Sequence, residues 1–392
     1  MAKPITPPSV WTTLVQPDFA ASANFNSLAD PVARASTVVF DSVEKLRQRD
    51  WRDKQQYTYG LLGTPTSRRL ERQLAAIDGV EHALLFPSGL SAISTLLLAF
   101  LKAGDQVLMP FNSYVPALDA ARLLQQRFGI ELAFYDPMQL DTLKFAANTR
   151  LLWVETPGSV TMEVADLPAL AALAHQHDVL VAIDATWAAG IALPVFELGA
   201  DLSIQALTKY QSGGSDVLMG CVTTADEGLY RSLAETVVSL GIGVSPEDCR
   251  LILRSLPHYR LRYLAQDHAA RQVARWLSQH PAVARVLHPA LPDAPGHAIW
   301  ARDFTAAASL FSVVFREDIQ QAELDRCVEA LRLFHLGFSW GGAVSLVVPF
   351  TRNQMHAAYS YAGLLVRFYI GLEDAQDLIQ DLAQALQPLE KR

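Results

Sequence analysis

Short apolar runs alternate with helical patterns through the middle of this chain, and two of them, Leu151-Leu-Trp-Val154 and Val179-Leu-Val-Ala-Ile183, are apolar at every position. A strand with one wet face alternates apolar and polar residues, so an unbroken run belongs to a strand covered on both faces, as in a parallel sheet between helices. Upstream, Leu70, Leu74 and Ile77 fall on one face of a helix that Gly79 can end, and His82 to Phe86 reads as a buried strand. The rhythm then predicts helix 89–102, strand 106–110, helix 114–127, strands 130–135 and 150–155, helix 166–176, and strands 178–184, 201–206 and 217–223. The expected fold class is α/β, a mostly parallel sheet with helices on both faces.

After about residue 245 the texture changes. A long helical stretch (255–279) is followed by strands at Leu310–Phe315, Val344–Val348 and Leu365–Ile370, and by a helix carrying Leu378, Leu382 and Leu386. This predicts a smaller C-terminal α+β domain over 246–392, behind a main domain over 57–245. Residues 1–56 contain prolines and little periodicity, and read as an arm lying on a neighbouring subunit. At 392 residues the chain is too long for one core.

Composition narrows the function. Thirty-two Lys plus Arg against forty Asp plus Glu leave a net charge of −8, which disfavours nucleic acid as a partner. The richest apolar run, Leu96–Leu101, is far too short to span a bilayer, so no membrane association and a cytoplasmic location are expected. Cys221, Cys249 and Cys327 contain no CxxC pair, and no metal is expected. His175 and His177 are two residues apart, on different faces of a helix.

Neither a dinucleotide fingerprint nor a P-loop is present. Gly337-Phe-Ser-Trp-Gly341 matches the G-x-S-x-G elbow of serine hydrolases, but that motif needs a helix after the serine. Here Ala343–Val348 reads as a strand, and His356 is the one downstream histidine. A second constellation is more informative. Asp184 closes an apolar strand, at the sheet edge where α/β proteins put ligands, and Lys209 follows the next strand. Pyridoxal phosphate uses both: a lysine bonds its aldehyde and a carboxylate holds its pyridine nitrogen protonated. The alternative for these two residues is an ordinary buried ion pair. Phe86-Pro-Ser-Gly-Leu-Ser-Ala-Ile93 adds a helix start whose Gly89 and Leu90 N–H groups can hold a phosphate, and Tyr114 opens the next helix, where its ring can lie on a planar group.

These segments, with Val154-Glu-Thr-Pro-Gly-Ser-Val-Thr-Met-Glu163, Ile183-Asp-Ala-Thr-Trp-Ala-Ala-Gly190, Ser203-Ile-Gln-Ala-Leu-Thr-Lys-Tyr210, Ser339-Trp-Gly-Gly342 and Arg367-Phe-Tyr-Ile-Gly-Leu-Glu-Asp374, resemble the Cys/Met-metabolism (trans-sulfuration) group of fold-type I pyridoxal phosphate enzymes. The likeness is greatest to its cystathionine β-lyases. The resemblance implies a carbon–sulfur lyase of methionine biosynthesis that eliminates L-cystathionine, an amino-acid thioether, to homocysteine, pyruvate and ammonia; γ-lyase or γ-synthase activity is the alternative. It further implies that Lys209 carries the cofactor, Asp184 contacts the pyridine nitrogen and Tyr114 stacks on the ring. Gly89, Leu90 and Thr208 would bind the phosphate, joined by Tyr57 of a neighbouring subunit. Arg367, Ser339 and Trp340 would form the substrate side of the pocket. The implied assembly is a homodimer at least and a homotetramer by family likeness. Three positions depart from the family pattern: Tyr59 where an arginine usually stands, Gly214 in place of a histidine, and Phe338 where β-lyases can have tyrosine.

Overall fold

The computed structural model describes residues 8–16, 27–29, 31–351, 354–355 and 359–390. Two short helices, α1 (Val10–Val15) and α2 (Val43–Arg47), precede the first sheet. Part of the expected arm, including residues 1–7 and 17–26, lies outside the described residues. Helix α1 packs on its own chain, with Leu14 buried and the Trp11 ring 5.9 Å from that of Tyr259. The segment behind it is different, since Leu28, Val39, Val43, Tyr57 and Tyr59 are all exposed.

Helix α3 (Pro65–Asp78) starts where a start is chemically marked: the Thr64 and Ser67 side chains each accept the other's N–H, and Pro65 supplies the first turn. Then follow β1 (His82–Phe86), α4 (Gly89–Phe100), β2 (Gln106–Pro110), α5 (Val115–Phe128), β3 (Glu131–Tyr135) and β4 (Thr149–Glu155). The sheet is completed by α6 (Leu167–His175), β5 (Leu180–Asp184), β6 (Leu202–Ala206) and β7 (Gly220–Thr224). Seven strands lie in the order β1-β7-β6-β5-β4-β2-β3. The block from β3 to β6 is parallel and β7 runs antiparallel to both its neighbours. No helix separates β6 from β7, so the chain has nothing to carry it back across the sheet and must return in the opposite direction.

Strand β4 shows why its run is apolar throughout. Leu151 and Trp153 enter one core with α4 and α5, while Leu152 and Val154 enter another with α3 and α6. Each such side chain contributes about 1.5–3 kcal/mol by leaving water.

Helix α7 (Glu227–Ser239) packs on α4 beside the large sheet; the second part begins with α8 (Pro246–Ser278) and continues with β8 (Val283–Leu287), α9 (His297–Asp303), β9 (Leu310–Phe315) and α10 (Gln321–Glu329). It ends with β10 (His335–Leu336), β11 (Leu346–Phe350), β12 (Leu365–Tyr369) and α11 (Ala375–Leu386). Helix α8 starts nine residues before the expected 255, at Pro246, because Ser245 caps it with Glu247 and Asp248 in the first turn, and it runs through Pro257. Five strands, in the order β10-β11-β12-β9-β8, form a smaller sheet. Leu378, Leu382 and Leu386 of α11 pack with it and with the far half of α8. Among the described residues no helix is long and apolar enough to cross a membrane.

Asp78, the last residue of α3, is carried under the large sheet. It accepts hydrogen bonds from Gln205 Nε2 (2.9 Å) on β6 and Thr223 Oγ1 (2.6 Å) on β7, and burial raises its carboxyl to about 6. A carboxyl whose folded pKa exceeds its unfolded one stabilises the fold below about pH 4 and loses that contribution as pH rises through 6. Urea unfolding of the wild type should therefore weaken relative to Asp78→Asn by roughly 2–3 kcal/mol between pH 4 and pH 7. A difference that stays constant over this window contradicts the assignment.

Candidate active site

The C-terminal edge of the parallel block collects the polar residues that the apolar strands end on. Asp184 is the last residue of β5, and Glu155, the last of β4, is its register partner. Asp184 accepts the Thr186 main-chain N–H (3.0 Å) and the Thr186 hydroxyl (2.5 Å), and the same hydroxyl accepts the Ala206 N–H of β6 (2.9 Å). Burial pushes the Asp184 carboxyl above its ordinary value; the Thr186 hydrogen bonds and the charge of Lys209 pull it back. Glu155 lacks those hydroxyl and ammonium partners. Burial, followed by the charge of Asp184, drives it well above the carboxylate range, against one hydrogen bond from the Tyr114 N–H (2.7 Å). Neighbouring carboxyls thus hold protons with different strength.

Lys209 lies three residues beyond β6, its N–H bonded to the Ala206 carbonyl (3.1 Å). Its Nζ donates to Ser339 Oγ at 2.6 Å and stands 5.3 Å from the centre of the Trp340 ring. Burial, then the nearby Arg367 charge, lowers the amine to about 8, with Asp184 opposing. Arg367, on β12, is itself lowered to about 10 by burial, and no carboxylate is paired with it among the described residues. Tyr114 caps α5 with half of its side chain in the open, and its phenol is raised by burial and by Asp184 and Glu155.

Residues from both sheets therefore meet here: Asp184, Lys209 and Tyr114 from the first, Ser339, Trp340 and Arg367 from the second. Ser339 adopts φ +78° and Gly341 φ +92°, where the chain passes so close to Lys209 that a Cβ on Gly341 would sit 2.6 Å from the Lys209 Cα. The serine is not on a hydrolase elbow, since a strand and not a helix follows it, and its hydroxyl faces an amine. His356 lies outside the described residues. His175 bonds Asp201 (3.0 Å) and His177 stacks on Phe145, far apart in role.

Gly89 and Leu90 open α4 as expected. The Ser91 and Ala92 N–H groups are taken by Ser88, leaving those of Gly89 and Leu90 as the first-turn donors. A Cβ on Gly89 would stand 2.8 Å from that of Ala206, so only glycine lets the helix start lie against β6. Thr208 departs from expectation in orientation: its hydroxyl donates to the Met219 carbonyl (3.2 Å) and accepts the Met219 N–H (3.1 Å), so it cannot also donate to an anion as placed. Tyr57 is not brought to this group within the chain and is exposed in the segment ahead of α3. Glu155 and Thr186 were not singled out from the sequence. Glu155 carries the same signal as Asp184, a carboxylate ending an apolar run.

This set fits pyridoxal phosphate. It offers an amine lowered to about 8, a buried carboxyl beside it, a glycine cradle with two first-turn N–H groups for an anion, and a partly buried guanidinium with no carboxylate paired to it among the described residues. Comparison with known proteins agrees. The Cys/Met metabolism PLP-dependent enzyme family matches residues 11–387. Cystathionine beta-lyase of Escherichia coli is 35% identical over 95% of this chain and 96% of its own, and an L-alanine/L-glutamate racemase of Wolbachia pipientis is 36% identical over 84% and 82%. The structure of a cystathionine gamma synthase from Xanthomonas oryzae, solved with cystathionine, superposes with a TM-score of 0.89 at 28% identity over 98% and 99% of the two chains.

Gly341→Ala should displace the Ser339 loop from Lys209 while leaving both cores intact. Titration of the purified protein with pyridoxal phosphate, followed by its visible absorbance, should give an affinity about tenfold or more below wild type, at unchanged far-ultraviolet circular dichroism. Wild-type affinity would refute the contact.

Proposed function

The chain belongs to the Cys/Met metabolism family of pyridoxal-phosphate-dependent enzymes, and on that premise we propose that it is a cytoplasmic carbon–sulfur lyase acting on L-cystathionine by β-elimination. The reaction consumes one water and yields homocysteine, pyruvate and ammonia. The observation that carries this reading is an amine lowered to about 8, Lys209, held by Ser339 near a guanidinium, Arg367, that has no carboxylate partner among the described residues. Such a pair suits an α-amino acid: a planar cation for its carboxylate and a base for its Cα proton.

When bound, pyridoxal phosphate supplies an electron sink for negative charge developing at the substrate Cα. Lys209 would hold it covalently, Asp184 would face its pyridine nitrogen, and Tyr114 would lie on its ring. The Gly89 and Leu90 N–H groups receive its phosphate. Arg367 binds the substrate carboxylate and so fixes which Cα bond stands near the Lys209 amine. Once the substrate's own amine has taken its place on the cofactor, Lys209, uncharged in a substantial fraction near pH 8, would take the Cα proton and return one to the departing sulfur. Trp340 walls the side chain and Ser339 keeps the amine in line.

The exposed apolar residues Leu28, Val39, Tyr57 and Tyr59 support a second copy of the chain as partner, with Tyr57 completing the neighbour's phosphate site in a dimer or a dimer of dimers. This leaves residues 57–245 as the cofactor-binding domain and 246–392 as the substrate-side domain.

A visible absorbance band that changes on addition of L-cystathionine, with release of pyruvate, is the expected result; release of 2-oxobutyrate instead assigns the γ-lyase alternative. Lys209→Ala should lose pyruvate formation by at least about a thousandfold. Retention of the wild-type rate in that variant sinks the reading. A second activity is favoured by the racemase among the relatives and by two proton-carrying groups, Lys209 and Tyr114, at one site. Loss of optical activity from L-alanine, abolished in Tyr114→Phe but with pyruvate release from cystathionine retained, tests it.

A further inference from the structure

The segment that brings Ser339 and Trp340 to Lys209 runs in a backbone conformation that favours glycine, yet residue 339 is a serine at φ +78°. Such a turn persists only where its surroundings hold it, and the holding groups are identifiable. Two residues beyond the serine's neighbour Trp340, the Gly342 carbonyl is buried and receives the Tyr369 hydroxyl together with Gln266 Nε2 at 2.7 Å. Gln266 Nε2 also donates to the Tyr369 oxygen at 2.8 Å, so the three groups close a triangle. Gln266 and Tyr369 are each 1% exposed. Gln266 keeps this geometry although its own carbonyl oxygen is left buried with no partner among the described residues. The far end of the segment is tied separately, by the Leu372 N–H to the Ala343 carbonyl at 2.7 Å.

The placement of the two side chains gives this triangle its reach. Tyr369 is the last residue of β12, on the same strand face as Arg367 two residues earlier, while Gln266 comes from α8, the helix that runs from the large sheet to the small one. We propose that Tyr369 and Gln266 are positioning residues: by holding the Gly342 carbonyl they fix where the Ser339 hydroxyl meets the Lys209 amine. The inference rests on the reading of Lys209 as the cofactor lysine. Both side chains are buried, and both act through Ser339.

A double-mutant cycle on the holoenzyme tests it. Tyr369→Phe removes only the hydroxyl. It should lower kcat about tenfold at unchanged cofactor content, and change the visible circular dichroism of the bound cofactor as Ser339→Ala does. In the Ser339→Ala background the same substitution should have no further effect on either readout. Where Tyr369→Phe does not fold, Gln266→Met keeps the volume, removes both Nε2 hydrogen bonds and should give a loss of about threefold with the same non-additivity. Losses that multiply across the cycle, a Tyr369→Phe enzyme with wild-type kcat and dichroism, or a Ser339→Ala enzyme indistinguishable from wild type would each overturn the inference. A wild-type protein lacking any cofactor band overturns the functional reading and this inference with it; a banded wild type with multiplying losses overturns this inference alone.

Discussion

One hydrogen bond, from the Lys209 amine to Ser339 Oγ at 2.6 Å, ties the segment after β6 to the loop before β11 at the candidate site. An amine taken out of water needs an acceptor, and here that acceptor comes from the smaller sheet. The consequence is mutual. The large sheet presents Lys209 in this geometry together with the loop before β11, whose left-handed turn brings Gly341 close to the Lys209 backbone. The proposed site therefore belongs to neither sheet by itself.

Electrostatics then separates groups that look alike. Glu155 and Asp184 end neighbouring parallel strands in register, but only Asp184 has two Thr186 hydrogen bonds and an ammonium beside it. Two carboxyls in one enclosed place do not ionise equally: burial raises both, and the Thr186 hydrogen bonds and Lys209 pull Asp184 back while Glu155 is driven further up. Arg367 adds to burial in lowering the Lys209 amine, and among the described residues no carboxylate is paired with it. An amine near neutrality between a carboxylate and a guanidinium is what α-carbon chemistry on an amino acid calls for.

The departures from the family pattern fall into two groups. Gly214 is exposed, and a Cβ there would meet the Asp216 carboxyl at 2.4 Å, while its neighbour Ser215 lies against the Ser339 loop, where a Cβ on Gly342 would reach the Ser215 hydroxyl at 2.1 Å. Tyr59 and Phe338 are exposed, and both lie on surfaces where side-chain identity is free of the chain's own packing. The conformation of each sheet is thus insulated from them.

Much of this was legible in the residues. The fully apolar runs dictated strands with two covered faces, because Leu151 and Trp153 must leave water on one side and Leu152 and Val154 on the other. Asp184 and Lys209 were legible as strand-end residues, and the Ser88–Gly89 helix start as an anion cradle, since those signals are local. Strand β8, with arginine exposed between valines, and helix α7 carried weaker periodic patterns and were not read. The direction of β7 depended on what the loop before it lacks. What tertiary structure alone decided is the company each group keeps. Thr208 turned toward Met219, Glu155 became the partner of Asp184, and Ser339 became the acceptor of a lysine more than a hundred residues away. Spacing along a chain sets periodicity and strand ends, whereas which side chains lose water together is settled only when separate elements pack, and that shared loss of water is what shifts a proton.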